Sequence, residues 1–207
     1  MLSTGQPPER ETYHHGRLRD ALVEAALATA RVEGPNAVVL RGATRAVGVS
    51  PNAAYRHFAD RDDLLRAVAI RCQDLMAERM ETRLTAATTS TGAEDAWRRL
   101  RVAGRSYVEF AIAEPGWFRA AFAIPLDVGM SRAGPGDARR MVTILSSTLD
   151  DLVSSGAIPP SSRPGAEFVA WSAVHGIATL LTDGSLRDLA EPDRNAAIER
   201  VLNAVSF

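Results

Sequence analysis

Residues 40–58 read LRGATRAVGVSPNAAYRHF, a pattern typical of two short helices joined by a turn. The apolar residues of the first helix recur at helical spacing on one face, and they are Leu40, Ala43 and Val47. Gly48 suits the end of this helix, because glycine adopts a left-handed backbone without steric cost. Ser50 and Pro51 predict a second helix, since serine can cap an orphan backbone N–H and proline suits the first helical position.

The second helix divides into an inward and an outward face. Ala54 and Phe58 have the spacing of core residues, and Tyr55 can serve either side. The positions left toward solvent or a partner are Asn52, Ala53, Arg56 and His57. A helix that reads the major groove of DNA has this division. The alternative is an ordinary helical corner in an all-α protein.

The flanking segments extend the motif. Residues 17–33 form an amphipathic helix that a Gly-Pro pair ends, which gives a three-helix head. After the motif, Asp60 supplies an N-cap for a longer amphipathic helix. Arg61 lies where a helix N-terminus and a cation can jointly meet a phosphate. The alternative is a surface arginine paired with Asp62, Asp63 or another nearby acid.

Three motifs follow one another in a specific order and spacing: V-x-L-R-x-x-x-R-x-V-G-V-S-P, then A-x-Y-R-H-F, then D-R-x-x-L-L-x-A-V. Through them, residues 13–70 closely resemble the TetR family of transcriptional regulators. The segment YHHGRLR at 13–19 and WSAVHG at 171–176 resemble a subgroup with a Trp-x-x-x-His-Gly ligand-binding domain. The resemblance implies an all-α fold: an N-terminal three-helix helix-turn-helix DNA-binding domain followed by a helical ligand-binding and dimerisation domain.

We expect three regions along the chain. Residues 1–12 are rich in proline, glycine and charge and form a disordered arm; residues 13–60 form the DNA-binding domain, and residues 61–207 the ligand-binding and dimerisation domain. The arm and the histidines after it can follow the DNA backbone or enter a minor groove. The alternative, metal binding by His14 and His15, lacks a third ligand nearby.

The charge distribution agrees with DNA binding. Between Arg10 and His57 there are seven arginines and four acidic residues, although the whole chain carries a net charge of −1. So modest an excess implies a dimer with two heads. The predicted DNA-contacting residues are His14, His15, Arg17, Arg41, Thr44, Ser50, Pro51, Asn52, Ala53, Tyr55, Arg56, His57 and Arg61.

The rest of the chain is predicted to be helical. Helical spacing of apolar residues predicts helices at 93–113, 139–155, 168–182 and about 193–205, with a mobile loop at 124–137. The helix at 168–182 is apolar around most of its circumference, so it must be buried on more than one side. We expect a homodimer through the helices near 164–183 and 193–205, as a four-helix bundle. The alternative is one compact monomeric bundle.

Aromatic residues on several of these helices can converge on a pocket for a partly apolar small-molecule effector. Most will only pack in the core. His175 can orient a polar atom of the ligand or be satisfied by a backbone carbonyl. The predicted ligand-contacting residues are Tyr107, Phe110, Trp117, Phe118, Phe122, Met141, Trp171 and His175.

Other classes of protein fit less well. No apolar run is long enough to cross a bilayer and no signal-peptide pattern is present, which predicts a soluble cytoplasmic protein. Enzyme motifs such as G-x-S-x-G and H-E-x-x-H are absent, so we expect no enzyme, no metal site and no cofactor. Cys72, the single cysteine, lies on an apolar helix face where a buried hydrophobe is expected.

We predict a dimeric regulator that binds a double-stranded DNA operator, with no membrane partner. As a repressor, it would be released by a small-molecule ligand that tilts the helix after the head and changes the separation of the two heads. The alternative from another class is a helical small-molecule-binding or scaffold protein without specific operator recognition.

Overall fold

The computed structural model describes residues 10–87, 92–125 and 140–207, with side chains from Arg17 onward. This part of the chain is all-α as predicted, with nine α-helices, two short 3₁₀ turns and no strand. The helices are α1 (Arg10–Glu33), α2 (Leu40–Val47), α3 (Pro51–Ala54), α4 (Arg61–Ala87), α5 (Ala93–Ala113), α6 (Pro115–Ala121), α7 (Arg140–Ser154), α8 (Ala166–Thr182) and α9 (Glu191–Ala204).

The first three helices, the start of α4 and the end of α6 enclose one small core, which we call the head core. Its most deeply buried side chains, at most 1% exposed, are Leu22, Ala30, Val38, Ala54, Phe58, Leu64, Val68, Cys72, Ala120 and Ala121. Residues one helical turn apart supply this core from α1 and α4, as their amphipathic spacing predicts. The head core therefore includes the first turns of α4 as well as the helix-turn-helix.

The long helix α4 runs from the head core into a second core. Asp60 caps its start, because the backbone N–H of Asp63 donates to Asp60 Oδ1 at 2.8 Å. In return, the N–H of Ala59 donates to Asp63 Oδ2 at 3.1 Å. Along α4, Cys72 is the last buried member of the head core, and Met76 is the first of the second core.

The helix α5 occupies the centre of the second core and packs against α4, α7, α8 and α9. Its bounds agree with the predicted 93–113. Buried apolar side chains from six helices, α4 to α9, meet there, among them Met76, Met80, Tyr107, Phe110, Phe118, Met141, Ile177, Leu181, Ile198 and Leu202. The second core thus holds most of the aromatic residues that the sequence assigns to a pocket.

The short helix α6 is fixed to both α1 and α4. A Cβ atom on Gly116 would lie 2.1 Å from the carbonyl oxygen of Arg31, so only glycine permits this approach of α6 to α1. Trp117 Nε1 donates to the carbonyl of Leu27 at 2.9 Å. From α4, Gln73 Nε2 donates to the carbonyl of Ala121 at 2.8 Å.

The start of α1 differs most from the sequence prediction. The helix α1 begins at Arg10, well before residue 17, and it includes residues predicted to lie in the arm. A single glycine at Gly16 costs about 1 kcal/mol in a helix, which does not end it between good helix formers. Residues 1–9 of the arm, and residues 126–137 of the predicted loop, lie outside the described residues.

The helix α3 is shorter than expected. Regular helix ends at Ala54, and residues 55–57 form a tight turn in which the N–H groups of His57 and Phe58 both donate to the carbonyl of Ala54. Ser50 occupies the N-cap position as predicted, but its side chain makes no capping hydrogen bond. The fixed φ of Pro51 at the first position helps to start the helix without that bond.

Candidate functional site

The corner between α2 and α3 has the predicted geometry. Gly48 adopts a left-handed conformation with φ of 78°, and its N–H donates to the carbonyl of Thr44 at 2.9 Å. Val49 donates to the same carbonyl at 3.0 Å and is half-buried against the head core. This hydrogen-bond pattern ends α2 and turns the chain directly into α3.

The head presents an outward face around α3. Ala54 and Phe58 are buried as predicted, so they hold the turn against the head core. The predicted DNA-contacting residues that are exposed are Arg17, Arg41, Ser50, Pro51, Asn52, Tyr55 and Arg56, and those that are half-buried are Ala53 and His57. His14 and His15 belong to α1, but their side chains lie outside the described ones.

Thr44 is wrong as a DNA contact in this structure. Its side chain is 2% exposed, and its hydroxyl donates to the carbonyl of Arg41 at 3.1 Å. A threonine hydroxyl can satisfy itself on its own helix in this way, which lets the residue enter the core beside Ala43. The residue supports α2 from within.

Arg61 is bound to the protein itself. Its guanidinium donates to the carbonyls of Pro35 and Val38, both at 2.9 Å, and contacts Asp62 Oδ1 at 3.3 Å. The pairing with Asp62 is the alternative that the sequence left open. The two carbonyl contacts fasten the loop after α1 to the start of α4, so these donors are already used within the chain.

Arg45 is a further cation on the same face that the predicted set omitted. It lies one turn beyond Arg41 on α2, and both are exposed. Within the described part of the chain, no ion pair is formed by Arg41, Arg45 or Arg56. Their charges are therefore available to phosphates. Arg45 could have been predicted from the sequence, because it lies four positions after Arg41 and so shares its helix face.

In the second core, five aromatic rings pack together as an aromatic cluster: Tyr107, Phe118, Phe122, Trp171 and His175. The His175 ring centroid lies 4.8 Å from that of Phe122, 5.4 Å from that of Trp171 and 5.5 Å from that of Phe118. The Tyr107 hydroxyl is 2.8 Å from His175 Nδ1. His175 is thus satisfied by a tyrosine, whereas the sequence suggested a ligand atom or a backbone carbonyl as its partner.

Protonation of this pair follows from its surroundings. Burial lowers the pKa of His175, which favours the neutral ring. Burial also raises the pKa of Tyr107, and a hydrogen bond from Trp171 opposes this only in part. Because the indole N–H of Trp171 can only donate to the Tyr107 oxygen, the tyrosine O–H is left to donate to His175 Nδ1, an arrangement that requires the histidine proton on Nε2.

A cavity lies beside this cluster, between α4, α5, α7, α8 and α9. The centres of water molecules can occupy a volume of about 70 Å³ inside it, and its walls are almost wholly apolar. Four of the predicted ligand-contacting residues line it: Tyr107, Phe122, Met141 and Trp171. Lining residues that the prediction missed include Met80, Leu100, Arg101, Gly104, Val174 and Leu202. The α5 residues among them could have been predicted, because Leu100 and Gly104 share a helix face with Tyr107.

The other predicted ligand-contacting residues do not line the cavity. Phe118 is buried and His175 half-buried within the aromatic cluster. Phe110 stacks on Trp117 at 6.4 Å between centroids, and Trp117 is bound to α1. Aromatic residues at helical spacing usually pack in the core, which explains these four exceptions.

Two known protein families match separate parts of this chain. Residues 22–68 match the family described as bacterial regulatory proteins of the tetR family. Residues 100–205, half of the chain, match the tetracyclin repressor-like C-terminal domain. The chain belongs to the TetR family. It is accordingly a DNA-binding transcriptional regulator with a helical ligand-binding domain, while the Trp-x-x-x-His-Gly subgroup stays a prediction.

Solved structures show the same TetR architecture. A protein of unknown function from Rhodococcus sp. RHA1 is 28% identical, with a TM-score of 0.63 over 98% of this chain and 100% of its own. A TetR-family regulator from Pectobacterium atrosepticum is 22% identical, with a TM-score of 0.65 over 93% and 92%. FadR from Bacillus subtilis, solved with stearoyl-CoA, is 16% identical, with a TM-score of 0.59 over 90% and 99%. No curated protein matches this sequence.

Among the described residues, no helix has the length and apolar character needed to cross a membrane. In the same part of the chain, no three His, Cys, Asp or Glu side chains are grouped as a metal site would require.

Proposed function

We propose that this protein is a dimeric repressor that a small-molecule ligand releases from its DNA operator. The observation that carries the proposal is the position of α6 between the cavity and the head. Phe122, which directly follows α6, lines the cavity, whereas Gly116 and Trp117 of the same helix contact α1. A ligand that moves Phe122 must therefore act on a helix that is bonded to the head.

Several contacts join α1 to α6 and to the residue before it, and they would transmit such a displacement. Besides the Trp117 hydrogen bond, Arg31 Nε donates to Glu114 Oε2 at 2.7 Å, and the Arg31 guanidinium lies 4.7 Å from the Trp117 ring centroid. Packed helices move as units because their interfaces cannot deform continuously. A shift of α6 would change the separation of the two heads, which must match major grooves roughly 34 Å apart.

The dimer would form through α8 and α9. On α8, Phe168 is 58% exposed, Val169 49% and Leu180 43%, and a Cβ on Gly176 would meet nothing within 4 Å. Exposed apolar residues along one helix face, with a glycine that permits close approach, suit packing against a second copy. This face is part of the predicted interface at 164–183, to which the segment 193–205 would add the second pair of helices.

At the operator, we assign different roles to the exposed residues. Tyr55, Arg56 and His57 would mainly hold the DNA backbone, since the small Ala53 leaves few base-edge hydrogen bonds on α3. Asn52 would contribute direct base contacts together with the N-terminal arm. The protein would act in the cytoplasm. Its regulatory role would need no enzymatic activity.

A gel shift and footprint on DNA upstream of the protein's own gene test the proposal. Arg56→Ala and Tyr55→Ala should each weaken binding by about tenfold or more, because a charged hydrogen bond contributes about 1.5–3 kcal/mol and the dimer loses it twice. Arg187→Ala is the control, since this arginine is 65% exposed on the loop after α8. Full affinity in both head variants would overturn the proposed contacts.

A second outcome separates the rival function. If the intact protein gives no specific footprint even at low salt, although it is folded and dimeric, operator recognition is absent. The helical small-molecule-binding or scaffold protein then becomes the better description.

A further inference from the structure

The cavity has one charged wall residue. Arg101 on α5 is half-buried, and every other lining residue is apolar apart from the Tyr107 hydroxyl and the Trp171 indole N–H. The hydroxyl is already used by His175, since the two atoms are 2.8 Å apart. Arg101 is therefore the wall residue that can offer a ligand a charged group.

Neighbouring arginines on α5 form ion pairs, whereas Arg101 forms none among the described residues. One turn along α5, Arg105 pairs with Glu109 and Glu199; nearby, Arg99 pairs with Asp151. Among the described residues, Arg101 has no ion pair or hydrogen bond. A half-buried cation without an anion is unfavourable, because burial removes water that is not replaced by a partner. An anionic group on a ligand would supply that partner.

The size of the cavity limits the rest of the ligand. The centres of water molecules can occupy about 70 Å³ of the cavity. Because each water needs about 10–15 Å³ of such volume, the cavity holds roughly five to seven waters, whose liquid volume is about 150–200 Å³. That matches a small apolar body, on the order of an eight-carbon chain. The flexible side chains of Met80 and Met141 can adapt to its shape.

We infer that the effector of this regulator is a small apolar carboxylate, whose apolar body fills the cavity and whose carboxylate pairs with Arg101. The inference rests on the proposed function, in that it names the class of ligand for the same site. Guanidinium and carboxylate form two parallel hydrogen bonds, which gives the pair strength and a fixed direction. A neutral or cationic analogue of the same length loses this pairing.

Direct binding of three eight-carbon probes tests the inference without DNA. Octanoate, 1-octanol and octylammonium are titrated by calorimetry into the intact protein and into Arg101→Met, Arg101→Lys and Arg105→Met. We expect the intact protein to bind octanoate about tenfold or more tightly than octanol, and octylammonium most weakly. Arg101→Met should remove the preference for octanoate yet still bind octanol, which shows that its cavity is intact.

The other variants sharpen the result. Arg105→Met changes the net charge by the same amount on the same helix and should keep the preference, and Arg101→Lys should restore part of it. Equal binding of octanoate and octanol by the intact protein, a preference that survives Arg101→Met, or no binding of any probe would overturn the inference. Operator binding is measured separately without probe. Its loss with the octanoate preference intact would overturn the proposed regulator alone.

Discussion

Replacing Gly116 with alanine should separate α6 from α1. The new Cβ would lie 2.1 Å from the carbonyl oxygen of Arg31 and 2.4 Å from that of Ala30, and both are backbone atoms that no side-chain rotation can move. To restore a tolerable 3.0 Å, the two helices must part by about 1 Å. Overpacking of this kind costs about 1–3 kcal/mol.

Urea and thermal unfolding measure the cost of this change. For a chain of this size, 1–3 kcal/mol corresponds to a loss of roughly 2–12 °C in Tm. Gly42→Ala is the matched control, because a Cβ there meets only Val39 Cγ2 at an ordinary 3.4 Å inside α2. This control should be neutral or should stabilise by up to about 1 kcal/mol, since alanine favours helix over glycine.

The same variant tests the coupling between cavity and head. If α6 positions α1, Gly116→Ala should weaken operator binding without any ligand, at temperatures where the variant is fully folded. A Gly116→Ala protein as stable as the parent would refute the steric argument. A destabilised variant with full operator affinity would instead refute the role of α6 in positioning the head.

Three further predictions concern single side chains. Thr44→Val should cost about 0.5–1.5 kcal/mol in urea unfolding through the lost hydroxyl bond and leave operator affinity unchanged; a large affinity loss at unchanged stability would restore Thr44 as a contact. Because burial lowers the folded-state pKa of His175, its contribution to stability is full above about pH 6.5 and falls as the pH drops through the folded pKa. His175→Gln should therefore lose less stability than the parent in that acid window, and parallel pH profiles from thermal unfolding would contradict this. Leu180→Glu should shift the protein to monomer in light scattering, whereas an unchanged dimer would remove α8 from the interface.

The sequence predicted the long elements well because their signals are repeated. Apolar spacing over many turns fixed α5 at 93–113, and it placed α7 within one residue at each end. Short signals were weaker guides. The predicted cap by Ser50 and the extension of α3 beyond Ala54 each rested on one or two residues, and local hydrogen bonds decided otherwise.

Site residues were harder to predict because their roles depend on distant partners. Arg61 contacts the carbonyls of Pro35 and Val38, which lie 26 and 23 positions earlier in the sequence. Likewise, helical spacing shows that Trp117 and Phe118 face inward, but only tertiary packing decides which inward residue meets a cavity. Arg101 escaped prediction for the same reason.

The capped start of α4 has a consequence for dissecting the protein into fragments. Sequence alone suggests cutting after residue 60, yet Leu64, Val68 and Cys72 belong to the core of the head, and Arg61 ties that helix to the preceding loop. A fragment that ends at 60 would leave the apolar surface of Phe58 without its partners. A fragment used as a reading head therefore has to carry α4 at least as far as Cys72, and it would still lack Ala120 and Ala121 of α6, which pack in the same core.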